Sequence, residues 1–113
     1  MFALQVTDIF SIPGRAMVLT GRVEGAPVFA GSRVRLVSPA SSVRAVVSGL
    51  EIDRKVVASA TPGQDVAVLV RGVEREALVG AFEQFESGPG VSNWRVVSLR
   101  LEAAPKMWWE FWR

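Results

Sequence analysis

The side chains able to do acid–base or ligand-binding work are few. Asp8, Glu51, Asp53 and Asp65 are carboxylates at or near predicted strand ends. A carboxylate pair is the minimum that glycoside chemistry needs. The chain has neither cysteine nor histidine. That removes disulfides, thiolate nucleophiles, the usual zinc ligands and the commonest general base near neutral pH. The phosphate loop G-x-x-x-x-G-K-[ST], G-x-S-x-G, H-E-x-x-H and C-x-x-C are all missing. The expectation is therefore a non-enzyme with no cofactor, no metal and no bound nucleotide.

The elements that position these residues are strands. Phe2, Leu4 and Val6 share one parity before Ser11-Ile12-Pro13-Gly14 breaks the pattern. Met17, Leu19 and Val23 share a parity, with Arg22 opposite. Arg33 and Arg35 face one way around Val34. Val43 to Ile52 reads as a long strand with a bulge at Gly49, and Asp53 to Gly63 as a connector. Residues 65–71 are apolar on both parities, as in a buried central strand. Val73 to Leu78 suits one helical turn, Ser87-Gly88-Pro89-Gly90 a loop, and Trp94 to Leu101 one more alternating strand. Short strands at regular turn spacing predict a closed barrel or a sandwich in a single domain of 113 residues. No run is long enough for a membrane helix and the start is unlike a signal peptide, so a cytoplasmic location is expected and a membrane partner is not.

The pI is about 9.9, yet the formal net charge is only +2. Distribution is more telling. Arg15, Arg22, Arg33, Arg35 and Arg44 crowd the first half of the chain, and Glu74, Glu76, Glu83 and Glu86 lie further on. A basic face attracts phosphates, and an exposed strand face carries charge in any case.

Several dispersed blocks are then informative together. They are Asp8-Ile9-Phe10-Ser11-Ile12-Pro13-Gly14-Arg15, Val18-Leu19-Thr20-Gly21-Arg22-Val23, Gly49-Leu50-Glu51, Arg54-Lys55 and Gly63-Gln64-Asp65 running into Val66–Val73. In order and spacing they resemble the second domain of the translational GTPases, elongation factor Tu above all, from about residue 2 to residue 80. The resemblance implies an all-β, closed six- to seven-stranded barrel over residues 1–101, and the Trp-rich tail over 102–113 has no counterpart in the family. It also implies that Asp8, Phe10, Ile12, Glu51, Asp65 and Leu69 meet the aminoacyl end of tRNA. Gly14 and Arg22 would face ribosomal RNA, and Arg33 and Arg35 would add phosphate contacts. The chain departs from the family in carrying Asp65 for Asn, Ala16-Met17 for Gly-Thr, Gly25-Ala26 for Arg-Gly, and Asp53 for an aromatic residue. No GTPase domain is expected within these 113 residues. The implied function is a non-catalytic module contacting RNA, either the tRNA acceptor end or ribosomal RNA, or another component of the translation apparatus.

The tail supplies the alternative. Pro105-Lys106-Met107-Trp108-Trp109-Glu110-Phe111-Trp112-Arg113 holds three of the chain's four tryptophans. Such apolar area is costly to leave in water, at roughly 25 cal/mol per Å². It folds back on the barrel, anchors at a membrane interface, or docks on a protein partner or second copy through Trp108, Trp109 and Trp112. The last makes the chain a protein-interaction or assembly module.

Overall fold

The computed structural model describes residues 1–12 and 16–104, with only the backbone described at 11, 12, 87 and 91–94. Eleven strands follow in chain order: β1 (Ala3–Ile12), β2 (Ala16–Glu24), β3 (Val28–Phe29), β4 (Arg33–Ser38), β5 (Ser41–Ile52), β6 (Lys55–Val57), β7 (Ser59–Ala60), β8 (Asp65–Val70), β9 (Phe82–Gly88), β10 (Val91–Val96) and β11 (Arg100–Ala103). One 3₁₀ turn covers Arg75–Ala77, inside the stretch predicted to form a helical turn.

Six strands close a ring in the order β4-β11-β1-β2-β8-β5, and β5 pairs back to β4. Every pairing is antiparallel. β6 hangs on β5 outside the ring, β3 pairs with β7, and β9 pairs with β10. The barrel is closed by its last strand, because β11 lies between β1 and β4. That strand runs past residue 101 to Ala103.

The inward parity fills the barrel. Leu4, Leu19, Leu36, Leu50, Val68 and Leu101 are fully buried. On β2 the predicted inward set Met17, Leu19 and Val23 is buried, and Gly21 takes the remaining inward place. A Cβ at Gly21 would overlap the Gln5 carbonyl oxygen and come within 2.6 Å of Leu4 Cδ2. Only a residue without a side chain lets β1 and β2 approach here.

Within the barrel two bulges break the alternation, one on β1 and one on β5. The β1–β2 register skips Thr7 between Val6 and Asp8, and the β5–β8 register skips Ser48 between Val47 and Gly49. Each extra residue carries a hydroxyl that donates to a carbonyl of the neighbouring strand. Thr7 Oγ1 donates to the Thr20 carbonyl at 3.1 Å, and Ser48 Oγ to the Leu69 carbonyl at 3.1 Å. A bulge disturbs the ladder, and these bonds supply local replacements. Thr7→Val and Ser48→Ala are each expected to cost about 1 kcal/mol in urea unfolding, the net worth of one such hydrogen bond. An unchanged midpoint for both variants would contradict that role.

Candidate functional site

A bulge reverses which side chains point outward. Asp8 and Phe10 share the even parity of Leu4 and Val6, so an unbroken β1 would turn both into the core. The extra Thr7 turns them out instead and brings Ile9 to the core boundary. Likewise an unbroken β5 would carry Glu51 inward with Ala45 and Val47. The extra Ser48 puts Leu50 inside, fully buried, and Glu51 on the outer face. Bulges often re-aim side chains in this way beside functional sites.

The two bulged strands stand at the two ends of the run β1-β2-β8-β5. Across β1, β2, β8 and β5 the outward residues line up in rows. Phe10, Val18, Leu69 and Gly49 form one row, each in register with the next. Beside it run Asp8, Thr20, Ala67 and Glu51. A third row holds Gln5, Arg22 and Asp65. Phe10 is 59% exposed, whereas Val18, Ala67 and Leu69 are half-buried. A Cβ on Gly49 would lie 4.0 Å from Leu69 Cδ2, so the end of the apolar row is open rather than crowded. Ala67 and Leu69, the second apolar parity of β8, are thus floor of this face and not core.

A groove of about 570 Å³ covers the polar rows, lined by Thr7, Thr20, Arg22, Glu51, Asp53, Arg54, Asp65 and Ala67 among others. Its rim is the two-residue turn joining β5 to β6. Asp53 and Arg54 both adopt left-handed backbone, with φ of 52° and 66°. That is the pair of angles a tight hairpin with the native twist demands. Asparagine and glycine meet the demand at low cost, whereas arginine is strained by roughly 1–2 kcal/mol. Arg54→Gly is therefore expected to raise the unfolding free energy by about 1 kcal/mol. Chemical denaturation checks this, and a loss of stability would show that the Arg54 side chain holds the hairpin.

Electrostatically the groove is mixed. Arg22 Nε lies 3.3 Å from Asp65 Oδ1, with side chains 66% and 78% exposed, so the pair is solvent-screened and weak. Glu51, Asp53 and Arg54 make no ion pair among the described residues. Asp8 and Glu51 end the same row three strand spacings apart, about 14 Å. The described residues hold no group of three or more Asp or Glu placed to bind a metal. Nor does any described helix have the length and apolarity to cross a membrane.

Of the residues singled out from sequence, Glu51 and Asp65 line the groove, Phe10 and Leu69 share the neighbouring row, and Asp8 stands at the far end of the row of Glu51, three strands away. Ile12 continues β1 opposite Ala16, and its side chain lies outside the described residues. Arg22 joins the groove, but Arg33 and Arg35 do not. They lie on β4, which pairs with β5 and stands three strands round the ring from β2. Arg35 is held by Glu102, with Nη2 at 2.7 Å and Nε at 2.8 Å from the same Oε1. Arg22 on β2 and the pair Arg33 and Arg35 on β4 thus form no single surface. Gly14, Trp108, Trp109 and Trp112 lie outside the described residues. Thr7, Thr20, Val18, Ala67 and the rim position of Arg54 were not read from sequence. The doublet Asp53-Arg54 between two strands was their one available signal. No protein-family model matches the chain.

Proposed function

We propose that this chain is a non-catalytic binding module of the translation-factor type, acting in the cytoplasm, that holds a single-stranded RNA end on the outer face of β1, β2, β8 and β5. The observation that carries the reading is the pair of bulges, which turn Phe10 and Glu51 outward at the two ends of the run β1-β2-β8-β5, whose outer residues from Thr7 to Glu51 line one groove.

The chemistry of the rows suits a terminal nucleoside. An exposed aromatic ring with aliphatic neighbours stacks a base, and stacking is the main currency of single-strand recognition. Glu51 accepts hydrogen bonds only, so it takes a ribose hydroxyl or a base amino group and not a phosphate. Asp8, Asp53 and Asp65 repel phosphates from the groove in the same way. Arg54 and Lys55 at the rim are left to meet the backbone leading into it. The resemblance to the second domain of elongation factor Tu supports this reading and makes the charged acceptor end of tRNA the ligand of first choice.

The test is a titration of the full chain with fluorescent aminoacyl-tRNA and with a blunt RNA hairpin, at low and moderate salt. Tighter binding of the aminoacyl-tRNA at both salts is expected. Equal, salt-sensitive binding of the two RNAs would mean a general electrostatic surface and would remove the proposal.

A further inference from the structure

Arginines outside the groove gather on the outer face of β11, β4 and the first half of β5. Register sets them in rows. Glu102, Arg35 and Arg44 stand side by side across the three strands, and Arg33 lies opposite Val46 in the next row. On the other side Arg100 lies opposite Val37, and Val37 opposite Ser42. Like charges directly opposite each other, as on Arg35 and Arg44, destabilise a sheet. Glu102 is the one carboxylate that the sequence places on these stretches, and it is already shared. Its Oε1 lies 2.7 Å from Arg35 Nη2 and its Oε2 3.5 Å from Arg100 Nη2. The connector after β8 runs on to β5, where the Ala77 carbonyl accepts from Ser41 Oγ at 2.7 Å. It adds Arg71 and Arg75 against Glu74 and Glu76, which leaves the balance as it was. The whole chain is only +2, so its positive surplus is concentrated here and the remainder is close to neutral.

Exposed apolar side chains border these arginines. Phe29 is 54% exposed and Val46 is 45% exposed. Their sequence neighbours Val28 and Val47 are buried, so alternation turns both residues outward and neither is core. The turn between β3 and β4 sets them at the same end of this face. Gly31 N–H donates to the Val47 carbonyl at 2.7 Å, Val47 N–H to the Ser32 carbonyl at 2.9 Å, and Phe29 N–H to Ser32 Oγ at 3.0 Å. The turn is thereby fixed next to Val46, with Arg33 following it in sequence.

We propose that this face rests on an anionic lipid surface as a peripheral contact, with Phe29 and Val46 at headgroup depth and Arg33, Arg35 and Arg44 against the charged headgroups. By strand geometry the three arginines stand within about 10 Å of one another, roughly one Debye length at moderate salt, so they meet a charged surface as a unit. A cluster of guanidinium groups alone suits any polyanion. An exposed phenylalanine and valine beside it suit a bilayer interface, where basic residues meet headgroups and apolar ones enter the acyl boundary. The inference stands apart from the RNA-binding groove, and neither depends on the other.

Flotation of the full chain with large unilamellar vesicles tests this, with phosphatidylcholine alone set against phosphatidylcholine containing one third phosphatidylserine. Partition into the anionic vesicles is expected to exceed that into the neutral ones by about tenfold or more at low salt, and to fall as salt rises. Arg33→Gln and Arg44→Gln should each lower it about fivefold, the share of one arginine at such a surface, and flatten the salt dependence. Phe29→Ser should lower it several-fold and leave the salt dependence as it was. Two arginine variants are used so that one poorly folded protein does not decide the matter, and far-UV circular dichroism checks the barrel in each. Absent or equal partition into the two kinds of vesicle would overturn the proposal, as would arginine variants that bind like the parent. So would unchanged partition of Phe29→Ser together with binding of a blunt RNA hairpin that both arginine variants lose, which would assign the face to RNA.

Discussion

Phe10→Ala is expected to lower affinity for a single-stranded RNA end by about fivefold to 150-fold, the roughly 1–3 kcal/mol that one base–aromatic stack supplies. Thermal stability should hardly change, because the ring is 59% exposed and outside the core. This separation is what distinguishes a binding residue from a packing residue. Leu69→Ala, by contrast, removes a half-buried side chain and should affect binding and stability together. Glu51→Gln keeps shape and replaces an acceptor-only group by one that also donates. It should lower affinity more than tenfold, in line with the roughly 1.5–3 kcal/mol of a hydrogen bond to a charged group. Isothermal titration beside thermal melts reads both quantities. An affinity loss for Phe10→Ala matched by a comparable loss of stability would assign the ring to the fold.

The largest effect on stability is expected at a glycine. Gly21→Ala places a methyl group against the Gln5 carbonyl oxygen and Leu4 Cδ2. Backbone on a neighbouring strand cannot step aside as the tip of a flexible side chain can. The cost should reach about 3 kcal/mol, the upper end for overpacking. For a domain with about 5–15 kcal/mol of total stability, that is a drop of roughly 10 °C or more in Tm. Gly49→Ala makes the contrast. Its added Cβ would sit at ordinary contact distance from Leu69 and in permitted backbone. It should leave Tm within a few degrees and lower RNA affinity by filling the open end of the apolar row. Similar melting temperatures for the two variants would refute the close-approach role of Gly21.

The comparison of sequence and structure turns on how strands are interrupted. Regular alternation made β2 and β4 legible, and Met17, Leu19, Val34 and Leu36 are buried as their parity requires. The bulge on β5 left a trace in Gly49. The bulge on β1 left none, because threonine is an ordinary strand residue, and so the outward turn of Asp8 and Phe10 was not derivable from parity. The stretch from Trp94 to Leu101 reads as one strand but is two. β10 ends at Val96 and pairs only with β9, whereas β11 starts at Arg100 and enters the barrel. The break shows in burial, since Val97 is exposed while Leu99 and Leu101, of the same parity, are fully buried. β3, β6 and β7 have too few residues to show any period. Membership of the site was legible chiefly through the resemblance, because the rows depend on register between strands far apart in sequence. The arginines mislead for the same reason. Arg22, Arg33 and Arg35 are close in the chain but occupy opposite sides of a closed ring.

The central claim is that ligand binds the outer face of β1, β2, β8 and β5. Amide chemical-shift mapping by NMR on titration with a short single-stranded RNA ending in a free 3′ ribose tests it most directly. The account predicts the largest shifts at Phe10, Val18, Leu69, Gly49 and Glu51, with smaller ones at Arg54 on the rim. Shifts gathered instead at Arg33, Arg35 and Arg100, on β4 and β11, would contradict it and assign RNA contact to the arginines outside those four strands.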